Sequence, residues 1–192
     1  MNMPSDPNWY AGAAWTALLI VWVVAAFSTK KTERSASQGS RLIELCLLVP
    51  AFSLLFERAV RFGPLAMRVI PESRPFQWTG VAIAIAGIAF AMWARFYLGG
   101  NWSAIAGVKR DHSLVRSGPY SVVRHPIYSG IIVAMLGTAL VSGALGCFVA
   151  LPLTIVAWRR KSLIEEGFMR EQFGAEYQRY MRDVKALIPF VW

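Results

Sequence analysis

Residues 127–158 are 32 consecutive positions without a charge. As one helix rising 1.5 Å per residue they would reach about 48 Å and overshoot a hydrocarbon layer of about 30 Å; as two helices they fall slightly short of two full crossings. Ser142, Gly143 and Gly146 stand near the middle of the run and favour a tight hairpin. Three more apolar stretches precede it. Residues 9–27 carry no charge, residues 42–60 are interrupted by Glu44 and Pro50, and residues 76–98 are rich in Ala, Gly and Ile with Arg95 in the last turn. Small residues of that kind suit close helix packing in lipid. Charge then decides the topology. With the N-terminus outside and a hairpin in the long run, 16 of the 20 Lys and Arg fall on one side, within residues 30–41, 95–124 and 159–185. A single crossing would instead export the basic C-terminal tail, against the positive-inside bias.

The reading is an all-α integral membrane protein with five transmembrane helices. Residues 1–75 form a two-helix transmembrane segment plus a basic, proline-bearing connector (61–75), and residues 76–192 form the functional core. A loop (99–124) and a tail (159–192) are the substantial water-side pieces, expected on the cytoplasmic side. In the tail, Ile164, Phe168, Phe173, Tyr177, Tyr180, Met181 and Val184 recur at helical spacing. It is expected to lie along the membrane surface or over the loop, interrupted at Gly174 and ended by Pro189.

Composition agrees: 56% hydrophobic, 16% charged and a mean hydropathy of +0.44 exceed what a water-facing surface carries. The net charge of +9 is topological, because the cations cluster between apolar runs where orientation and anionic lipid select them; nucleic acid is not an expected partner. Cys46 and Cys147 stand singly in apolar segments and read as small buried hydrophobes. Asp6, with no Lys or Arg before the first apolar run, is the reverse of a secretory leader's start, so residues 9–27 are expected to be a retained span.

The chemistry-bearing residues have one address. Both histidines, His112 and His125, fall in one loop beside Lys109, Arg110, Asp111, Tyr120, Arg124 and Tyr128, a density that packing does not explain. Two histidines and few acids are too sparse for a membrane metal centre, so no metal is expected. Glu165 and Glu166 follow the last span and share the loop's side of the membrane, where they either face it or form a solvated helix face. Pro119 and Pro126 stiffen the loop, and Pro126 suits the first turn of the next helix. No dinucleotide-binding glycine fingerprint, phosphate-binding loop or nucleophile elbow is present.

Several separated elements together resemble the isoprenylcysteine carboxyl methyltransferase family, integral-membrane enzymes related more distantly to phospholipid methyltransferases. They are Asn101-Trp102-Ser103, His112-Ser113-Leu114-Val115, Gly118-Pro119-Tyr120, Arg124-His125-Pro126-Ile127-Tyr128-Ser129-Gly130, Glu165-Glu166, Phe173-Gly174-Ala175-Glu176-Tyr177 and Ile188-Pro189-Phe190. The resemblance implies S-adenosyl-L-methionine as methyl donor. It implies a cofactor pocket lined by His112, Ser113, Leu114, Val115, Gly118, Tyr120, His125, Pro126, Ile127 and Tyr128, with Glu165 reaching in from the tail. Arg124, His125 and Glu165 would carry catalysis, and Lys161 and Trp102 would meet the acceptor. Eukaryotic members have glutamine where this chain has Ile105 and arginine where it has Lys161. The implied acceptor is lipophilic, entering from the bilayer among membrane lipids: the carboxylate of an isoprenylcysteine-like thioether, with the amine of a phospholipid headgroup as the alternative. A non-enzymatic membrane module is a third, weaker reading.

Overall fold

The computed structural model describes residues 5–103, 105–109 and 113–189. Five helices dominate it. The first, α1 (Pro7–Ala26), starts at Asp6, whose side chain caps the Asn8 N–H, and has Pro7 in its first turn. The second, α2 (Gln38–Phe56), is capped by Ser37 and tolerates Pro50 inside it. A connector with short 3₁₀ turns leads to α3 (Arg74–Leu98). These three are long and apolar enough to cross a membrane by length and composition. Most of their side chains, Leu19, Val24 and Leu45 among them, face outward, as lipid but not water permits.

The 32-residue run is a hairpin. It divides into α4 (Pro126–Ser142), a shorter apolar helix, and α5 (Leu145–Asp183). Gly143 makes the turn with φ 70°, the left-handed conformation that a glycine adopts without Cβ strain, and its N–H closes on Ala139 O. The tail continues directly from the second hairpin helix, and α5 is two helical pieces joined across a kink at Gly174, whose backbone is non-helical (φ 50°, ψ −124°), the interruption expected there. It ends before Pro189, at Val184. The chain then doubles back beneath α4, where the Arg124 and His125 N–H groups donate to Lys185 O (2.8 Å) and Ala186 O (3.0 Å).

The tightest seam is between α3 and α4. A Cβ on Gly87 would lie 2.5 Å from Ala134 N and Gly130 O, and one on Gly137 2.4 Å from Ala84 N, so the backbones touch where side chains would otherwise intervene. On the other side α5 packs against α2. The sequence reading missed one element: β1 (Thr32–Ser35) and β2 (Gly107–Lys109) pair antiparallel, Arg34 opposite Val108. This ribbon ties the α1–α2 loop to the loop after α3.

Candidate functional site

At the C-terminal end of α3 and the N-terminal end of α4 lies an open cleft with a cavity volume of about 120 Å³. Its walls come from both stretches singled out by sequence. From the loop and the start of α4 come Ser113, Leu114, Val115, Tyr120, Arg124, His125, Pro126, Ile127 and Tyr128; Trp102 follows the short turn after α3, and Glu165 comes from α5. Two expected residues are not on the wall. Gly118 sits beside the cleft with φ 58°, where a Cβ would press on the Tyr97 ring at 2.7 Å. Lys161 points to α2, its Nζ donating to Glu44 Oε1 at 2.7 Å. His112 lies outside the described residues.

The chemistry centres on a chain of buried polar groups. The Tyr128 hydroxyl donates to Glu165 Oε1 (2.7 Å), and the other Glu165 oxygen lies 3.4 Å from His125 Nδ1. His125 Nε2 in turn lies 3.2 Å from Glu166 Oε1, which also accepts from Arg124 Nε (3.0 Å) and Nη2 (2.6 Å). Arg124 Nη1 donates to the carbonyls of Met181 and Val184. Every guanidinium nitrogen of Arg124 therefore has a protein acceptor, and the residue clasps the end of α5 to the start of α4. The His125, Tyr128 and Trp158 rings stack in series, at 5.5 and 5.3 Å between centroids, so the imidazole has one orientation.

A carboxylate faces each ring nitrogen of His125, and only an imidazolium can donate from both. Burial opposes that charge, but the bonds and charges of Glu165 and Glu166 override it and raise the pKa above 6.5. The carboxylates respond in the opposite sense. Burial raises both, and the bonds to His125, with Arg124 for Glu166, more than offset it; Glu165 is lowered and Glu166 falls to about 2. The cluster is a preformed ionic lattice at the cleft wall. Tyr120 and Tyr180 are held neutral, their pKa values pushed well up chiefly by burial; the Tyr180 hydroxyl donates to Tyr120 O at 2.5 Å.

Several lining residues were not assigned to the pocket by the sequence reading: Asn101 and Tyr177, which stand in quoted motifs, and Met169 and Tyr180 among them. Asn101 receives Lys30 Nζ (3.0 Å) and donates to Ser113 Oγ (2.8 Å), connections across 71 and 12 residues that no local pattern signals. Glu166, 2% exposed, is a brace behind the wall. Arg95 is buried and faces the Trp102 ring at 4.5 Å while donating to Ala25 O and Gly99 O, which sets the angle of one cleft wall.

Residues 76–176 match the family model for phospholipid methyltransferases. Among individual proteins, the protein-S-isoprenylcysteine O-methyltransferase of Schizosaccharomyces pombe is 36% identical over 104 residues, covering 51% of this chain and 43% of its own. The human protein of the same name is 32% identical over 127 residues, 63% of this chain and 45% of that one. A probable protein-S-isoprenylcysteine O-methyltransferase of Oryza sativa subsp. indica is 27% identical over 131 residues, 64% of this chain and 68% of the rice protein. The chain thus spans under half the length of the yeast and human relatives. A solved structure of the eukaryotic intramembrane Ras methyltransferase ICMT has the same fold, with a TM-score of 0.51 and 23% identity over 83% of this chain and 55% of that one. The bundle and its matched core place the molecule among integral-membrane methyltransferases. The chain belongs to the phospholipid methyltransferase family, whose model spans more than half of it.

Proposed function

We propose that this protein transfers a methyl group from S-adenosylmethionine to the carboxylate of an isoprenylcysteine-like lipid, in a site formed where residues 113–128 meet α5. The observation that carries this is the Tyr128–Glu165–His125–Glu166–Arg124 chain, built from exactly those two stretches and fixed at the cleft wall. The names of the yeast, human and rice relatives supply the acceptor.

The cleft suits the donor chemically. It combines one carboxylate on the wall (Glu165), amide and hydroxyl groups (Asn101, Ser113), aromatic rings (Tyr120, Tyr128, Tyr177) and apolar side chains such as Leu98 and Met169. An ammonium finds an anion, an adenine finds flat apolar faces, and a sulfonium finds aromatic rings and a nearby negative charge. When bound, the donor supplies a methyl activated by its positive sulfur. Glu165, Ser113, Leu114, Val115, Tyr120 and Tyr128 would hold it, with Glu165 fixed by His125 and Tyr128.

The protein's own task is positioning and exclusion of water. An acceptor carboxylate is ionised at neutral pH and needs no base. His125 supplies positive charge at the wall, and Arg124 holds it there through Glu166. Trp102 lines the cleft where an acceptor would pass, and Lys161 acts from behind the wall through Glu44. By the positive-inside bias the site faces the cytoplasm, with five helices crossing the bilayer and the acceptor entering sideways from lipid.

The family's description favours a second acceptor, a phospholipid amine. An ammonium must first lose a proton, yet the carboxylates beside the cleft are depressed, weak bases, and His125, its pKa raised by Glu165 and Glu166, has both ring nitrogens committed to those carboxylates. That opposes amine chemistry. Purified protein with methyl-labelled donor, offered a farnesylcysteine analogue and phosphatidylethanolamine in parallel, should place label on the prenylcysteine as a base-labile ester. Label in the phospholipid headgroup alone would replace this reading with the other.

A further inference from the structure

Four of the 20 cations, Arg58, Arg61, Arg68 and Arg74, lie in or beside the connector between α2 and α3, at the end of the bundle away from the cleft. Gln77 and Leu98 are separated along α3 by about 30 Å of helix, roughly a bilayer's hydrocarbon thickness. Three of the four, Arg58, Arg61 and Arg68, line one open cavity of about 360 Å³ with Gln77, Ser142 and Glu72. The connector is laced onto the hairpin turn by Val69 N–H to Gly143 O and Leu145 N–H to Met67 O, both 2.9 Å. That lacing brings two guanidinium groups to one residue, Arg61 Nη1 at 2.7 Å from Ser142 Oγ and Arg68 Nη1 at 2.8 Å from Ser142 O. The hairpin glycines make their seats: a Cβ on Gly143 would lie 2.9 Å from Arg68 Nη2, and one on Gly146 3.0 Å from Arg61 Cγ.

Arg58, Arg61 and Arg68 are gathered here against two acids, Glu72 on the cavity wall and Asp6, whose carboxylate interacts with the Arg58 charge. Among the described residues no carboxylate is within ion-pair distance of Arg58, Arg61 or Arg68. Arg61 Nε is buried with no acceptor. The Gln77 side chain, 9% exposed, makes no hydrogen bond to any described residue. Three cations on the cavity wall against one lining acid, with the buried Arg61 Nε lacking an acceptor, match a ligand that is anionic and presents several acceptor oxygens in a compact group. Exposed Phe62, Met67 and Phe76 lie on the same connector and the start of α3, where apolar chains would run.

We propose that this cavity binds a phosphate group, presented by a phospholipid headgroup of the leaflet opposite the active site or free in solution, with Arg58, Arg61, Arg68 and Gln77 as its ligands. The site is separate from the methyltransfer cleft and holds the connector onto the hairpin.

Native mass spectrometry of the purified protein in phosphate-free detergent, with dioleoyl phosphatidylglycerol, dioleoyl phosphatidylethanolamine, dioleoylglycerol or inorganic phosphate added, tests this. The wild type should retain the phospholipids and not dioleoylglycerol, and Arg58→Gln/Arg68→Gln should lower phospholipid occupancy at least tenfold with S-adenosylhomocysteine binding unchanged. Inorganic phosphate raising the unfolding temperature of the wild type but not the variant would identify free phosphate as the source; an effect of phospholipids alone would identify lipid. Arg58→Gln singly serves if the double variant fails to fold, since the Arg58 side chain is exposed. Equal retention of phospholipid by wild type and variant, or of dioleoylglycerol and phospholipid by the wild type, would overturn the proposal.

Discussion

His125 has a carboxylate on each ring nitrogen and a tyrosine ring stacked on its face, and its titration is tied to theirs. A histidine whose folded pKa exceeds its unfolded value of about 6.5 stabilises the fold fully below that value and loses the contribution as pH rises through the folded pKa. Glu165 and Glu166, depressed from 4.5, contribute above that value and lose the contribution as pH falls, for Glu166 toward about 2. Both contributions are complete between roughly pH 4.5 and 6.5, so thermal stability in detergent should peak there and decline on both sides. His125→Gln should flatten the alkaline decline and also shrink the acid one, because the His125 bonds are the main cause that lowers both carboxylates; an unchanged alkaline limb in the variant would show that the imidazolium is not the group responsible. Sequence pointed to His125, Tyr128 and Glu165 because polar groups were concentrated beside an apolar run. The residue pattern alone left the Glu pair open and the resemblance singled out Glu165; adjacent residues on a helix project about 100° apart, and the packing of α5 turns Glu165 to the cleft wall and Glu166 behind it.

Between helices, the account rests on two contacts of opposite character. The α3–α4 seam is a backbone contact between small residues. Gly87→Ala is expected to cost about 1–3 kcal/mol by forcing the helices apart, whereas Gly12→Ala in α1, where an added Cβ meets nothing within 4 Å, should be neutral or slightly stabilising. Equal unfolding temperatures for the two variants would remove the seam as a determinant of the site. The α2–α5 contact contains the Lys161–Glu44 ion pair, both partners largely buried. Lys161→Met leaves a carboxylate without its partner and should cost about 3–5 kcal/mol, most of it recovered in Glu44→Leu/Lys161→Met; a double variant no more stable than the single one would contradict this. Glu44 was legible only as a blemish in an apolar helix, because its partner is 117 residues away. The hairpin was legible because helix length, glycine placement and charge asymmetry all agreed. The β1–β2 ribbon was not, because three- and four-residue strands carry no hydrophobic alternation: all four residues of β1 are exposed.

Across the whole molecule, two segments about 40 residues apart in sequence, the start of α4 and the middle of α5, are folded against one another by the hairpin and locked by the chain end returning beneath α4 through Lys185 and Ala186. The hairpin turn lies at one end of the bundle and the cleft at the other, so the length of α4 sets the distance between the connector's arginines and the cleft wall. The element order from α3 onward followed from the sequence, and so did most residues of the wall that belong to the loop motif before α4; those contributed singly, such as Met169 and Tyr180, depend on tertiary contacts. The central claim is that these two segments enclose the methyl donor. Isothermal titration of S-adenosylhomocysteine into the purified protein, wild type and Glu165→Gln, tests it most directly: the wild type should bind with one-to-one stoichiometry and the variant at least tenfold more weakly, about 1.4 kcal/mol, while remaining folded. No binding by the folded wild type, or equal affinity in the two, would contradict it.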